Sequence, residues 1–426
     1  MAWSPDGSGQ TTLLAFVREF GVQTASVTFP RPFSGVPQRL VCLRLALLLG
    51  CFFGMLASLP LWASSRPYPL VPVAAWFPVF SSPADWLCLG VLLGSLLSAC
   101  WTYRPSVIFF LVGSLFLACG DQNRWQPWFY MYWVMLLLSL QTEATTLAAC
   151  RLAFSAIYFW AGVQKLNPDF FQIAVPWMIQ PAAAWVPAGA VKVLGWLIGA
   201  APAIEMFIAV GVWFSRSRPV ALTAVVLVHL TSLILLGPLG HKHNLVIWPW
   251  NIFMPVMAVV LFWRCELRPV WQPLRQSRVV SVVLLLFSVL PSLSYLGWWD
   301  SYLSFCLYSG GMAKADLFLS GPLYERLPLA IRAHAAPTPG PFNPQVQGPY
   351  VLVIQLWAEK ELRAPPPPEP RVYRAVAREV AGYAAQADDL HLIIAPRRGP
   401  IEFYTASALR AGNQPSLRLK MPGDTR

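Results

Sequence analysis

Nine apolar runs follow one another between residues 40 and 299, and they constrain the fold more than any other feature of the chain. A helix that crosses a bilayer needs about 20 mostly apolar residues. Runs near 40–62, 86–101, 105–120, 125–141, 147–166, 191–214, 219–237, 244–263 and 279–299 meet or approach that length. The second and third are short and flank Pro105, so they read as a tight helical hairpin or as partly re-entrant segments. Charged residues make up only 12% of the chain against 56% hydrophobic, and the mean hydropathy is +0.53. A soluble domain carries about 25% charged residues. The composition therefore excludes a soluble enzyme, a disordered chain and a fibrous repeat. It predicts an all-α polytopic membrane protein with about nine transmembrane helices, the lipid bilayer being its first partner.

The net charge of +12 does not point to nucleic acid, because the positive residues fall mainly between apolar runs. With the N-terminus in the cytoplasm, one side holds Arg18, Arg31, Arg39, Arg104, Arg151, Arg216, Arg218, Arg264, Arg268, Arg275 and Arg278. The other holds Arg66, Arg124, Lys165, Lys192 and Lys242. That asymmetry has the sense of the positive-inside rule. An odd number of spans then places the chain from about residue 300 on the non-cytoplasmic side, and arginine dominance over lysine suggests a bacterial inner membrane. Residues 1–39 read as a cytoplasmic tail, with no cleaved signal, since the first long apolar run starts near Leu40. Trp125, Trp128, Trp185, Trp248, Trp250, Trp298 and Trp299 lie near span ends on one face and read as interfacial anchors. The eight cysteines contain no CxxC pair and read as small buried apolar residues.

Residues 301–426 regain charges of both signs and form an external soluble tail. Residues 335–349 and 364–370 are proline-rich and read as linkers. The alternation at 350–357 predicts a strand, 371–387 has helical spacing, and 390–395 predicts a second strand, giving a small α+β region. His334 and His391 stand singly there and read as solvated or structural.

Ionisable residues within spans are costly and are candidates for function. Lys165 ends the fifth run and is either a snorkelling anchor or a base, since a lysine withheld from water gives up its proton more readily. Glu205 lies within the sixth run, either protonated or facing a cation; His229 lies within the seventh, bonded across helices or contacting a ligand. The loop 237–244 carries His241, His243 and Asn244. Two histidines at i and i+2 with no nearby cysteine or carboxylate make no metal set, so no metal is expected. Asp121, Asn123 and Arg124 connect the third and fourth runs on the same side. The topology brings these residues toward the outer ends of spans, where they are expected to line one pocket opening outward. No nucleophile elbow, P-loop, HExxH or dinucleotide fingerprint is present.

The stretch Tyr158-Phe159-Trp160-Ala161-Gly162-Val163-Gln164-Lys165-Leu166-Asn167-Pro168-Asp169-Phe170 resembles the vitamin K-dependent gamma-carboxylase family and its bacterial HTTM relatives. In that family the pattern is close to Tyr-Phe-x-Ala-Gly-x-Lys-Lys-Leu, followed by Asp and an aromatic residue. The segment from Asp121 to Trp125 is similar to the family's Asp-x-Asn-Arg-aromatic segment. Arg151 matches an arginine that opens the same helix, and His229 with the later Asn244 is similar to a His…Asn pattern. The resemblance covers roughly residues 40–300.

The resemblance implies an enzyme that oxygenates a vitamin K-type, menaquinol-like hydroquinone, with or without coupling to carboxylation of an external protein or peptide substrate. It gives the base role to Lys165 and makes Asp121, Asn123, Arg124, Trp160, Glu205, His229, His241, His243 and Asn244 candidates for the pocket. Gln164 stands where the family has its first lysine, 237–244 looks inserted, and the tail of about 125 residues is far shorter. These departures leave a second expectation open, a non-enzymatic binding or scaffold module that kept the fold. A small-solute transporter ranks third, because no inverted repeat is visible.

Overall fold

The computed structural model describes residues 37–242, 244–265, 275, 277–338 and 348–419. It is mostly helical, with a small sheet near the C-terminus. Helices α1 (Gln38–Ala57), α2 (Ala84–Ser98), α3 (Tyr103–Gly120), α4 (Pro127–Leu138) and α5 (Glu143–Gln164) come first. Then follow α6 (Ala188–Gly199), α7 (Ala201–Gly211), α8 (Arg218–Leu236), α9 (Ile247–Phe262) and α10 (Arg278–Leu296). Five of these, α1, α3, α5, α8 and α10, are long and apolar enough to cross a membrane among the described residues. The pair α6 and α7, bent by 47°, makes a sixth if taken as one span, and α2, α4 and α9 are shorter apolar helices.

The breaks have local causes. The sixth run divides at Ala200, just before Pro202, whose missing N–H and ring oppose a continuous helix. Helix α10 passes through a π turn at Leu285–Val289 and tightens to a 3₁₀ turn over Leu290–Leu296, where Pro291 sits. The short second and third runs form a packed helical hairpin, joined by the Ser98 Oγ to Ser106 Oγ hydrogen bond of 2.8 Å. Arg151 does not open α5, which starts eight residues earlier at Glu143; it donates from Nε to the Leu261 carbonyl at 2.8 Å.

Helix α5 is the axis of the bundle, with about 72% of its apolar window buried, whereas α8 and α10 bury 28% each and face outward. Trp128 is not an interfacial anchor: it is buried, and a Cβ added at Gly54 would lie 2.7 Å from its ring. Trp298 is 74% exposed. All eight cysteines are free thiols.

The tail is a six-stranded antiparallel sheet in the order β2-β3-β1-β4-β5-β6. Its strands are β1 (Lys314–Leu319), β2 (Ala336–Pro337), β3 (Tyr350–Val353), β4 (Leu390–Ala395), β5 (Ile401–Thr405) and β6 (Leu417–Leu419). Leu352, Leu317, Leu392 and Tyr404 lie side by side across four strands, all buried. Helices α11 (Ile354–Leu362) and α12 (Pro370–Ala381) accompany the sheet. Val372, Val376 and Val380 of α12 repeat at four-residue spacing and are fully buried.

Two expectations for the tail are corrected. The strand expected over 350–357 stops at Val353, because Ile354, Trp357, Ala358 and Leu362 bury one helical face instead. The proline-rich segment at 364–370 is not a loose linker. Pro366, Pro367 and Pro368 are buried, and the Pro365 carbonyl accepts from Gln126 Nε2 at 2.9 Å. Of the other proline-rich segment, 339–347 lies outside the described residues. The tail therefore docks on the helical bundle. Tyr68 meets Trp357 edge-on at 4.8 Å, and Arg371 bridges Asp300 (2.8 Å from Nη1) and the Gln122 side chain (2.7 Å).

Candidate functional site

The site is built on the tightest helix pair of the bundle, α5 against α7. Gly162 permits that approach: a Cβ there would lie 2.7 Å from the Pro202 carbonyl oxygen and 3.0 Å from Met206 Cγ. Small residues let backbones approach in this way within apolar bundles. One turn farther on, Lys165 ends α5, where a cation also complements the helix dipole. Its ammonium donates to both Glu205 oxygens of α7, at 3.0 and 2.8 Å, and to the Ala161 carbonyl at 3.1 Å. The two side chains are 8% and 11% exposed, so this is a buried ion pair. Of the two expectations for Glu205, pairing with a facing cation is the one observed.

A cavity of about 550 Å³ lies beside the pair, between α5, α6, α7, α8 and α9. That volume is in the range of small-ligand pockets. Its wall is mostly apolar, with Lys165, Glu205, Tyr158, His229, Asn251 and Tyr308 among its polar members. Leu197, Phe207, Val220 and Leu227 line it and are also 41–61% exposed. The cavity is thus bordered by exposed apolar residues of α6, α7 and α8. Phe305 and Tyr308 of the chain entering the tail form part of its wall.

His229 belongs to a second polar group. Its Nε2 meets the Tyr158 hydroxyl, and its Nδ1 meets Asn251 Oδ1 at 2.6 Å. Asn251 Nδ2 donates to the Ile247 carbonyl at 2.7 Å. The partner of His229 is therefore Asn251 and not Asn244. Asn244 sits at φ 45°, its side chain against the Tyr308 hydroxyl. His241 stacks on Trp177 at 4.2 Å with its Nε2 2.6 Å from the Trp177 carbonyl, behind the cavity and not on its wall. His243 lies outside the described residues.

Asp121, Asn123 and Arg124 do not join this site. They form a separate buried knot that fixes the segment after α1 to the start of α4. Asp121 pairs with Arg66 and accepts from Val71 N (3.1 Å) and Asn123 Nδ2 (2.8 Å). Arg124 donates to the carbonyls of Leu61 (3.2 Å), Leu117 (2.6 Å) and Trp62 (2.8 Å). Burial pulls its guanidinium down to about 10, opposed by the charge of Asp121. Backbone carbonyls engage the Arg124 guanidinium, and Asp121 engages that of Arg66; none of the three residues lies on the wall of the cavity. Trp160 packs in the helical core, edge-on to Phe159 at 5.3 Å, and is not on the cavity wall.

Sequence reasoning missed three members. Tyr158 belongs to the family-like stretch and lies seven residues before Lys165, on the same helical face, which is the signal that could have found it. Asn251 carried a signal, as a lone amide inside an apolar run. Arg397 of the tail carried none. It donates to Gln164 Oε1 at 2.6 Å and lies 4.4 Å over the Tyr295 ring, tying the β4–β5 loop to the end of α5.

Fold and site together define a class: an apolar helical bundle with an apolar-walled cavity, one buried ion pair and one histidine-centred hydrogen-bond chain. No protein-family model, no curated protein and no solved structure matches the chain.

Proposed function

We propose that the chain is a membrane-embedded, vitamin K-dependent carboxylase-like enzyme that binds a vitamin K-type hydroquinone from the bilayer and oxygenates it. In this reading all nine apolar runs cross the membrane, the N-terminus is cytoplasmic and the tail lies outside, as in a bacterial inner membrane. The observation that carries it is the Lys165–Glu205 pair on the wall of an apolar cavity bordered by exposed apolar residues. In this reading the ring and chain of a fused-ring diol would meet apolar wall residues such as Leu197, Phe207 and Leu227, and a hydroxyl would meet the pair.

The hydroquinone supplies the reducing power for reaction with oxygen; the protein supplies binding and proton handling. Movement of one Nζ proton to Glu205 leaves an amine at Lys165 that accepts the hydroxyl proton. The tail, docked over α5 through Arg397, is where an external glutamate-bearing peptide would be presented for carboxylation.

A second reading, a lipid-binding module without chemistry, is favoured by one observation: the Lys165 ammonium already has three acceptors, as many as its protons. Epoxide formation from a vitamin K-type hydroquinone by the purified protein separates the two. Wild type forming epoxide and Lys165→Ala forming none supports the enzyme. No epoxide from folded wild type, with a lipid or quinone retained through purification, supports the module.

A further inference from the structure

The C-terminal end of α9 gathers guanidinium groups from three other helices. Arg39 of α1 donates from Nη2 to the Trp263 and Arg264 carbonyls, at 3.0 and 3.5 Å. Arg151 of α5 donates from Nε to the Leu261 carbonyl at 2.8 Å. Arg218, the first residue of α8, donates from Nη1 to the Cys265 carbonyl at 2.9 Å and from Nε to the Val212 carbonyl at 2.9 Å. Residues 261 to 265 thus draw in three cations that the chain carries far apart. Arg151 lies within range of the charges of both Arg39 and Arg218.

Nothing among the described residues balances these charges. The last carbonyls of a helix carry only about half a negative charge between them. No aspartate or glutamate occurs at 20–84, 144–168 or 206–265, the stretches that hold α1, nearly all of α5, α8 and α9. Glu143, the first residue of α5, stands eight residues before Arg151, about 12 Å away in helical rise. Glu266 lies outside the described residues. Arg151 is nevertheless only 9% exposed, and Arg39 Nη1 is buried with no hydrogen-bond partner. A guanidinium carries five N–H groups, and the carbonyls engage only one nitrogen each of Arg39 and Arg151 and two of Arg218. Charge held out of water without a counter-charge is strongly unfavourable.

We infer that this end of the bundle is a binding site for the phosphate group of an anionic lipid, with Arg39, Arg151 and Arg218 as its donors. Planar guanidinium forks match phosphate oxygens, and basic pockets between membrane helices recognise headgroups in this way. The surroundings favour a lipid over phosphate free in water. Phe214, whose carbonyl accepts the Arg218 backbone N–H, is 61% exposed, and Trp263, whose carbonyl accepts from Arg39, is 44% exposed. Acyl chains beside the headgroup would cover such residues. Arg151 lies fourteen residues before Lys165, about 21 Å along α5, so the inference does not depend on the quinol reading.

The test is native mass spectrometry of the full-length protein released from detergent micelles, titrated with phosphatidylglycerol or phosphatidylcholine, with inorganic phosphate as competitor. Wild type is expected to hold phosphatidylglycerol at least about tenfold more tightly than phosphatidylcholine, and excess inorganic phosphate should not displace it. Arg39→Gln and Arg151→Gln should each lower phosphatidylglycerol affinity about tenfold, the effect of one charge-assisted hydrogen bond, and leave phosphatidylcholine within about twofold. Arg104→Gln removes an exposed arginine that donates to the Leu140 carbonyl instead, and should change neither affinity. Wild type that holds both lipids equally overturns the inference, and this arm needs no variant to fold. An equal loss in Arg104→Gln would reveal a diffuse positive surface and overturn it too. Displacement by inorganic phosphate would overturn the lipid as the source of the phosphate. Phosphatidylglycerol binding that appears only in Glu266→Gln would show that a carboxylate of this chain already serves the three arginines, and would overturn the site.

Discussion

Separating Lys165 from Glu205 is the perturbation whose size follows most directly from the geometry. At 2.8 Å, with an effective dielectric of about 20, the attraction between the two charges is about 6 kcal/mol. Withdrawing each charge from water costs several kcal/mol, so the net worth of the intact pair is small. Breaking it is another matter. Lys165→Met strands a carboxylate whose side chain is 11% exposed, and Glu205→Leu strands an ammonium that is 8% exposed. Each single change should cost about 3–5 kcal/mol, as for other buried pairs that lose one partner. The double variant Lys165→Met/Glu205→Leu removes both charges and should cost less than either single one. Reversible unfolding in mixed micelles, followed by circular dichroism for all four proteins, gives the coupling energy directly. Single variants costing under about 1 kcal/mol, or costs that simply add in the double variant, would show that the pair is not a buried, coupled unit.

Other expectations follow from named contacts. Gly162→Ala places a methyl group against the immobile Pro202 carbonyl, so it should destabilise by about 1–3 kcal/mol in the same unfolding assay. Arg124→Ala strips the donor from three buried carbonyls and should cost about 3 kcal/mol or more, while ligand affinity in any protein that still folds stays unchanged, since the knot is apart from the cavity. Arg124→Lys should rescue little, because one ammonium cannot span three divergent acceptors. In the tail, burial would raise the Asp389 carboxyl, but hydrogen bonds from Gln386 N, Ser320 Oγ, Ala385 N and Arg326 outweigh it and hold the group below its usual value. A depressed carboxyl stabilises the fold above its unfolded value, about 3.9, and that contribution is lost as pH falls through the lower folded value. Acid titration of tail unfolding should therefore flatten in Asp389→Asn, which should also be less stable at pH 7. An alkaline phosphatase fused after residue 426 should be active in a bacterial host; an inactive fusion with a fluorescent cytoplasmic counterpart would reverse the proposed orientation.

What could be read from the sequence followed from period and solvent. Each apolar run contains a helix, because length and apolarity fix that outcome in isolation, and Pro202 and Pro291 fall close to where helices bend or tighten. Lys165, Glu205 and His229 stood out as costly residues in apolar runs, and the structure sets all three on one cavity wall. What failed depended on long-range pairing. Asp121 and Arg124 looked like pocket residues because Arg66 and the carbonyls of Leu61 and Trp62 lie some sixty residues away in the chain. The resemblance pairs His229 with Asn244 through a His…Asn pattern, whereas the structure pairs it with Asn251, seven residues farther along the chain. The prolines at 364–370 look like a spacer by composition, yet Pro366, Pro367 and Pro368 are buried where the segment meets the end of the bundle.

The exposed apolar residues that border the cavity have a consequence for how affinity must be expressed. A ligand that enters between them arrives from the hydrocarbon phase, so its effective concentration is its mole fraction among lipid or detergent molecules, not its molarity in the sample. Doubling the detergent at constant total ligand halves that fraction and should double the apparent dissociation constant. A molecule entering from water would show no such dependence. Saturation curves for this protein collected in different micelle concentrations are thus expected to superimpose only when plotted against ligand per detergent.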